Sequence, residues 1–246
     1  MPSRRSDFSR LAPVYDGLRQ ATAEWWEVFD LIVRAGELRG QRVLDIGCGT
    51  GRVAAALAER ELCKVWAVDR EPAMVERARA QLPRGAQARV AEAEALPFKD
   101  AWFDRALMRL VVQHLEREPA FAEARRVLAP GGRLVVATFD HDHFAAHWLG
   151  EYFPTIPVAD RARFPTAPQL EHELGVAGFP TIELVRIEQQ GERERGQALE
   201  QLRGRHISTF DFVPEEEYAA GLARAERELP DRFPVRMHWL VAVAGL

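Results

Sequence analysis

Val43-Leu44-Asp45-Ile46-Gly47-Cys48-Gly49-Thr50-Gly51 is the stretch that decides the fold of this 246-residue chain. Arg42 to Ile46 is a short apolar run of strand type, glycines at 47, 49 and 51 close it, and the alanine-rich run Arg52 to Arg60 reads as a helix. Strand, glycine turn and helix start in that order let the backbone bend sharply and come close to a ligand. The helix start brings amide donors and a positive dipole end to a carboxylate or phosphate. Nicotinamide and flavin binders share that arrangement. Two residues separate this loop from theirs. The dinucleotide fingerprint has Gly or Ala where this chain has Arg52, because helix and strand must pack closely there. Asp45 would repel a pyrophosphate beside it but suits a cationic amino group. The loop therefore favours an amino acid headgroup.

Outward from the loop, strands and helices alternate. Lys64 to Val68 reads as a strand, Glu71 to Leu82 as a helix with Pro72 in its first turn, and Gln87 to Ala91 and Phe103 to Met108 as strands. Glu116 to Leu128 is the next helix, and Pro130-Gly131-Gly132 turns into a fifth strand, Arg133 to Thr138. Such alternation implies a parallel sheet covered on both faces. Residues 7 to 38 read as helical, with Trp26, Phe29, Ile32 and Val33 at helical spacing and Gly36 and Gly40 ending the run. Later, Pro168 to Gly178 is a helix, Thr181 to Ile187 and Val235 to Ala244 are strands, and two helices near Gly196 to His206 and Pro214 to Leu229 lie between them. The expected fold is a doubly wound, mostly parallel seven-stranded α/β sheet with N-terminal helices and a helical insertion before the last strand. It forms a single domain over 1–246, with a helical cap (1–40), a ligand-binding core (41–140) and a substrate-side remainder (141–246). Asp69 ends the second strand, where a carboxylate can accept from both ribose hydroxyls or cap the following helix.

Composition narrows the class. Net charge is −4, without the basic excess expected of a protein whose main partner is nucleic acid. The alternating run Glu192-Arg193-Glu194-Arg195 reads as a solvated helix face. No stretch approaches the roughly 18–20 apolar residues that span a bilayer, and no secretory pattern follows Arg4 and Arg5. Cys48 and Cys63 form neither a disulfide framework nor a zinc pattern, so a cytoplasmic setting is expected. The basic residues are nearly all arginine and asparagine is absent, as either heat adaptation or GC-rich codons would give.

Val43 to Gly51 resembles the first motif of class I S-adenosylmethionine (SAM)-dependent methyltransferases, and Asp69 matches their acidic ribose residue. Glu92-Ala93-Glu94-Ala95-Leu96-Pro97-Phe98 resembles the segment that cradles adenine. Phe103-Asp104 through Val112-Gln113-His114-Leu115 resembles the fourth strand and the helix after it, and Arg126 to Leu134 the turn into the fifth. The nearest group is the small-molecule methyltransferases that include the quinone-biosynthesis enzymes. The resemblance implies SAM as cofactor, released as S-adenosylhomocysteine (SAH). Asp45, Gly47, Cys48 and Gly49, in the loop closed by Gly51, would hold its methionine end, Asp69 the ribose, and Glu92 with Ala93 the adenine edge. Arg109 and Leu110 would border the transferred methyl, and Tyr15 would either close over the cofactor or simply pack. Glu92 departs from the more usual Asp.

Methyl transfer needs alignment, water exclusion and sometimes proton removal, so no obligatory catalytic motif is expected. The Asn/Asp-Pro-Pro-Tyr/Phe loop of many amino-group methyltransferases is replaced by Met108-Arg109-Leu110-Val111, which disfavours nucleobase and glutamine amines. After the fifth strand, Phe139-Asp140-His141-Asp142-His143 offers His141 or His143 as a base, with Asp140 to orient it. The other reading is a polar loop with Asp142 capping a helix. His141, His143, His147 and Asp140 match no metal signature, and no metal is expected. Arg205 or His206 could meet an acidic acceptor or belong to surface ion pairs. The acceptor is expected to be a small molecule with an oxygen, carbon or nitrogen nucleophile, and the protein a monomer or homodimer without nucleic-acid or membrane partners. The competing functions are an RNA or protein methyltransferase, a SAM-binding regulator without turnover, and a nicotinamide-dependent oxidoreductase.

Overall fold

Seven strands form: β1 (Arg42–Ile46), β2 (Lys64–Asp69), β3 (Gln87–Val90), β4 (Phe103–Arg109), β5 (Leu128–Phe139), β6 (Thr181–Glu194) and β7 (Arg232–Gly245). The computed structural model describes residues 8, 9 and 11–246 and joins the strands in one sheet of order β3-β2-β1-β4-β5-β7-β6. The first five pair in parallel, and β7 lies antiparallel between β5 and β6. This is the doubly wound, mostly parallel architecture expected. Strand order reverses at β1, which has β2 on one side and β4 on the other, and open α/β sheets bind ligands beyond the carboxyl ends of strands at such a switch point.

Burial on both faces explains why the central strands are apolar throughout. Alternate residues of β1 feed two cores: Val43 packs with Phe29 and Ile32 on one face, Leu44 and Ile46 with Phe121 and Leu170 on the other. The first core is covered by α2 (Ala23–Gly36), α3 (Arg52–Arg60) and α4 (Pro72–Gln81), the second by α5 (Arg117–Val127) and α9 (Ala167–Val176). A third cluster, including Phe153, Leu202, Phe210 and Tyr218, joins α7 (Leu149–Tyr152), α8 (Thr155–Arg163), α10 (Arg195–Arg203) and α11 (Glu215–Glu228). Two further short helices, α1 (Tyr15–Leu18) and α6 (His141–Ala146), complete the α-helices of the described residues. No helix among these residues is long and apolar enough to cross a membrane.

Four local expectations are corrected. The helical run expected over 7–38 is two helices, with residues 1–7 and 10 outside the described residues. It breaks after α1 because the carbonyls of Leu18 and Arg19 accept from the side chains of Gln201 and Arg52 instead of continuing a helix. Pro130 to Gly132 is a bulge inside β5, taken up where the pairing shifts between Phe103 and Arg105, with Gly131 at φ 75°. The strands expected at 181–187 and 235–244 extend to Glu194 and back to Arg232. Consequently Glu192, Arg193 and Glu194 are strand residues rather than a helix face: their alternation has period two, and Arg193 turns inward. Finally, α6 is capped by Asp140, which accepts from the Asp142 amide, so Asp142 is not the cap.

Candidate functional site

The glycine loop wraps the carboxyl end of β2. The Gly47 and Cys48 amides donate to the Val68 carbonyl at 2.8 and 2.9 Å, and the Gly49 amide donates to Asp69 Oδ2 at 2.8 Å. These three amides therefore fix the loop rather than face a ligand. Gly47 (φ 73°) has to be glycine: a Cβ there would sit 2.3 Å from Cγ2 of Val111, which crosses over the loop. Gly51 faces away from the cavity, toward Ala78 of α4 at 2.9 Å from a built Cβ, so its bare backbone serves helix packing rather than cofactor contact. Of the two expected roles of Asp69, capping of the following helix is not seen. Its Oδ1 accepts from the Glu71 amide at 2.9 Å, and with the amides of Gly49 and Arg70 also donating to the carboxylate, it keeps acceptor capacity to spare.

A cavity of about 430 Å³ opens beyond the loop. It is lined at this end by Asp45, Gly47, Cys48, Gly49, Asp69 and Arg109. Asp45 is 2% exposed and its Oδ2 has no partner. Burial pushes its carboxyl up to about 7, Asp69's charge adds to this, and Arg109 opposes it. Arg109 lies between the rings of Trp25 and Trp239, 5.2 and 5.3 Å from their centroids, and its Nε has no partner. Burial pulls its guanidinium down to about 10. Among the described residues, a buried carboxylate and a buried guanidinium thus each keep an unfilled polar atom in one cavity, where desolvation makes such atoms costly. Cys48 is buried and its thiol held up by burial and the nearby carboxylates, while Leu110 takes φ 53° and donates its amide to the Ala137 carbonyl. Ala93 is buried at the rim and Glu92 is exposed beside it.

The N-terminal segment closes one side. Asp16 accepts from Thr50 Oγ1 and Arg52 at 2.8 Å each, and from Gln81 at 2.7 Å. Arg52, which excluded the dinucleotide fingerprint, here fastens α1 to the loop by also donating to the Arg19 carbonyl. Arg19 in turn stacks over Tyr15, donates to its hydroxyl at 2.8 Å and donates to the His206 carbonyl at 3.0 Å. Tyr15 lines the cavity in this strap.

The histidines divide. His141 lies off the cavity, its Nε2 3.0 Å from the Phe164 carbonyl, and Asp140 orients no histidine because Arg186 donates to it at 2.6 Å. His143 lines the cavity, stacked on Phe139 at 4.0 Å, with Nδ1 unpartnered. His147, 4.7 Å from the His143 ring, and His206 line it too. Burial lowers all three, His147 to about 4, so they are neutral near pH 7. His114, edge-on to Phe8 at 5.1 Å, is lowered to about 3 by burial. Arg205 is taken by Glu215 at 2.6 Å and by the Tyr218 ring. Sequence reasoning missed Arg19, Trp25, Arg193 and Trp239. The period-two run at 192–194 was the one signal that could have found Arg193, while the aromatic pair around Arg109 comes from elements with no local link between them.

The comparisons agree with this geometry. A family model described as a methyltransferase domain matches residues 44–136. The chain is 39% identical over 120 residues to the ubiquinone/menaquinone biosynthesis C-methyltransferase UbiE of Bordetella avium, covering 46% of each chain. It is 33% identical over 189 residues to the malonyl-[acyl-carrier protein] O-methyltransferase of Geobacter sulfurreducens, covering 73% of this chain and 71% of that one. The chain thus spans about half the length of the first relative and over two thirds of the second. A crystal structure assigned to a methyltransferase of an antibiotic biosynthesis pathway in Anabaena variabilis ATCC 29413 shares the fold, with a TM-score of 0.76 at 21% identity, covering 90% of this chain and 97% of that one. Sequence match, sheet order and glycine loop converge, and the chain belongs to the class I SAM-dependent methyltransferases.

Proposed function

We propose that this protein transfers a methyl group from SAM to a small-molecule acceptor. The observation that carries the reading is the pair of unfilled buried groups, Asp45 Oδ2 and Arg109 Nε, at the switch point of the sheet. Opposite charges held apart in a desolvated pocket suit a zwitterion, and the free amino acid end of SAM is one. Asp45 would take its ammonium and Arg109 its carboxylate, with Gly47, Cys48, Gly49 and Leu110 as close backbone walls. Asp69 would accept from the ribose hydroxyls with its remaining lone pairs, Glu92 and Ala93 would meet adenine, and Tyr15 would cover the cofactor from the strap. Residues 1–246 would then act as one domain, with 1–40 as cap, 41–140 as cofactor core and 141–246 shaping the acceptor side.

When bound, SAM supplies a methyl carbon already activated by its sulfonium and is left as the thioether SAH. The chain's own contribution is to hold the acceptor in line, exclude water and provide for a proton. Phe139, Phe144 and Phe164 line the acceptor side and keep it dry. His143, neutral and on the cavity, would accept a hydrogen bond or proton from an acceptor hydroxyl. The test is calorimetric titration of the protein with SAH, wild type and Asp45→Asn. Saturable binding in the wild type, weakened at least tenfold in the variant, is expected. No binding heat in folded wild type would overturn the proposal.

A further inference from the structure

Beyond the cofactor end, the long β6–β7 pair carries a cation into the same cavity. On the inner face of β6, Gln189, Gly191 and Arg193 alternate with the exposed Glu188, Gln190, Glu192 and Glu194. Gln189 is saturated: its amide donates to the Glu24 carbonyl and Glu27, and its carbonyl accepts from Trp239 Nε1 at 2.8 Å. Arg193 is not. Its hydrogen bond goes to Gln201 Oε1, a neutral acceptor. Among the described residues no carboxylate comes within the 4.0 Å of an ion pair with it. Glu24 attracts it without forming an ion pair, while its own carboxylate is held by Thr22 and its own amide. Arg163, which lines the same cavity, contrasts with it, being neutralised by Asp160 at 2.9 Å.

Glu24, Glu192 and Glu200 line the same cavity, yet among the described residues none of them forms an ion pair with Arg193. His147 and His206 line the cavity beside it, both uncharged, and its positive charge pushes each further from protonation. A largely buried guanidinium with one neutral partner is costly unless something negative arrives. Phe139, Phe144, Trp148 and Phe164 supply an apolar and aromatic wall in the same chamber. A guanidinium facing such a wall recognises a flat or apolar body with an acid at its edge.

We propose that the methyl acceptor is a small organic acid whose carboxylate pairs with Arg193 while its apolar body lies against the aromatic wall. This rests on the methyltransferase reading above and adds the chemical class of its substrate. Arg193 acts as a specificity residue: it binds the acid and takes no part in the transfer itself.

The experiment is a thermal-shift and titration screen on the full chain saturated with SAH, using small aromatic and aliphatic carboxylic acids beside their primary amides. Binding concentrated among the acids is expected. In Arg193→Gln the affinity of the best acid should fall at least thirtyfold and the acid-over-amide preference vanish, while SAH affinity stays within twofold. Arg193→Lys should retain part of the preference, and provides the comparison if the glutamine variant folds poorly. Amides binding as well as acids, no acid binding, or acid binding unchanged in Arg193→Gln would each overturn the proposal. Failure of SAH itself to bind would instead remove the methyltransferase reading on which it stands.

Discussion

Replacing Asp45 by Asn should make the unliganded protein more stable at neutral pH while destroying its proposed cofactor site. In the folded state the Asp45 carboxyl is raised from 3.8 to about 7, with burial the largest cause and Asp69 next. A folded-state value above the unfolded one means that folding takes up a proton between those two values. The native state is therefore relatively favoured below pH 3.8, and this advantage is lost as pH rises through about 7. Three pH units at about 1.36 kcal/mol each put the penalty in unliganded protein at roughly 4 kcal/mol above pH 7. Asn removes the charge but leaves a buried amide that can cost about 1–3 kcal/mol. The net gain at pH 8 is then roughly 1–3 kcal/mol, or a few degrees of Tm at about 2–4 °C per kcal/mol for a chain of this size. Near pH 4, where Asp45 is uncharged in the folded state, the gain should disappear or reverse. Differential scanning calorimetry of both proteins without ligand, from pH 4 to pH 8, measures this. A constant offset across that range, or a variant less stable at pH 8, would refute the argument that Asp45 is a buried charge awaiting a cation. The same logic gives a signature in binding. An ammonium at Asp45 would favour its ionised form, so below pH 7 SAH should bind with proton release and weaken as pH falls.

Arg52→Ala removes the clamp on α1 and should weaken SAH binding about tenfold and speed proteolysis within residues 19–22; the partly exposed Arg52–Asp16 pair should change global stability by no more than about 1 kcal/mol. Equal proteolysis of variant and wild type would show that the strap is held by other contacts. His143→Ala should lower kcat at least tenfold for hydroxyl acceptors with SAH affinity unchanged, whereas His141→Ala, whose ring faces the Phe164 carbonyl, should retain full turnover. The reverse ranking in steady-state kinetics would exclude His143 as the proton acceptor.

The central sheet and the glycine loop were legible because their causes are local. Strands buried on both faces must be apolar along their whole length, and Gly47 must be glycine where Val111 crosses it, so residues 42–60 carry the same message one by one and as a segment. The strands and helices of 64–109 follow the expected bounds to within a residue or two for the same reason. The acceptor side was read poorly because its causes are distant. The α1 segment ends where it does because Gln201 and Arg52 take its carbonyls, and α7 and α8 are held by a small core whose members come from 149 to 233. A window of ten residues holds none of that information. Arg193 illustrates the difference: alternating Glu and Arg fits a charged helix surface and an amphipathic strand alike, and only pairing with β7 decides between them.

Charge in this cavity is arranged along the chain in a way that matches the division of labour proposed for it. Asp45, Asp69 and Arg109 come from the carboxyl ends of β1, β2 and β4, rigid parallel strands whose register is fixed by burial on both faces. Arg193 comes from the far end of an antiparallel extension, and His143 and His147 from the segment after β5. A cofactor shared by many enzymes would thus be held by the stiffest part of the molecule, while the acceptor is met by parts that can vary without disturbing the sheet. Arg109 links the two. It projects from β4, yet one of its aromatic walls, Trp239, belongs to β7 and hydrogen-bonds Gln189, which lies on the same face of β6 as Arg193. Any acceptor acid that draws Arg193 inward acts on the strand that holds Trp239 in place over Arg109. Double-mutant cycles between Arg193→Gln and Trp239→Phe, read on SAH affinity with and without a bound acid, should therefore show coupling only when the acid is present; additivity in both states would mean that the two ends of the cavity work independently.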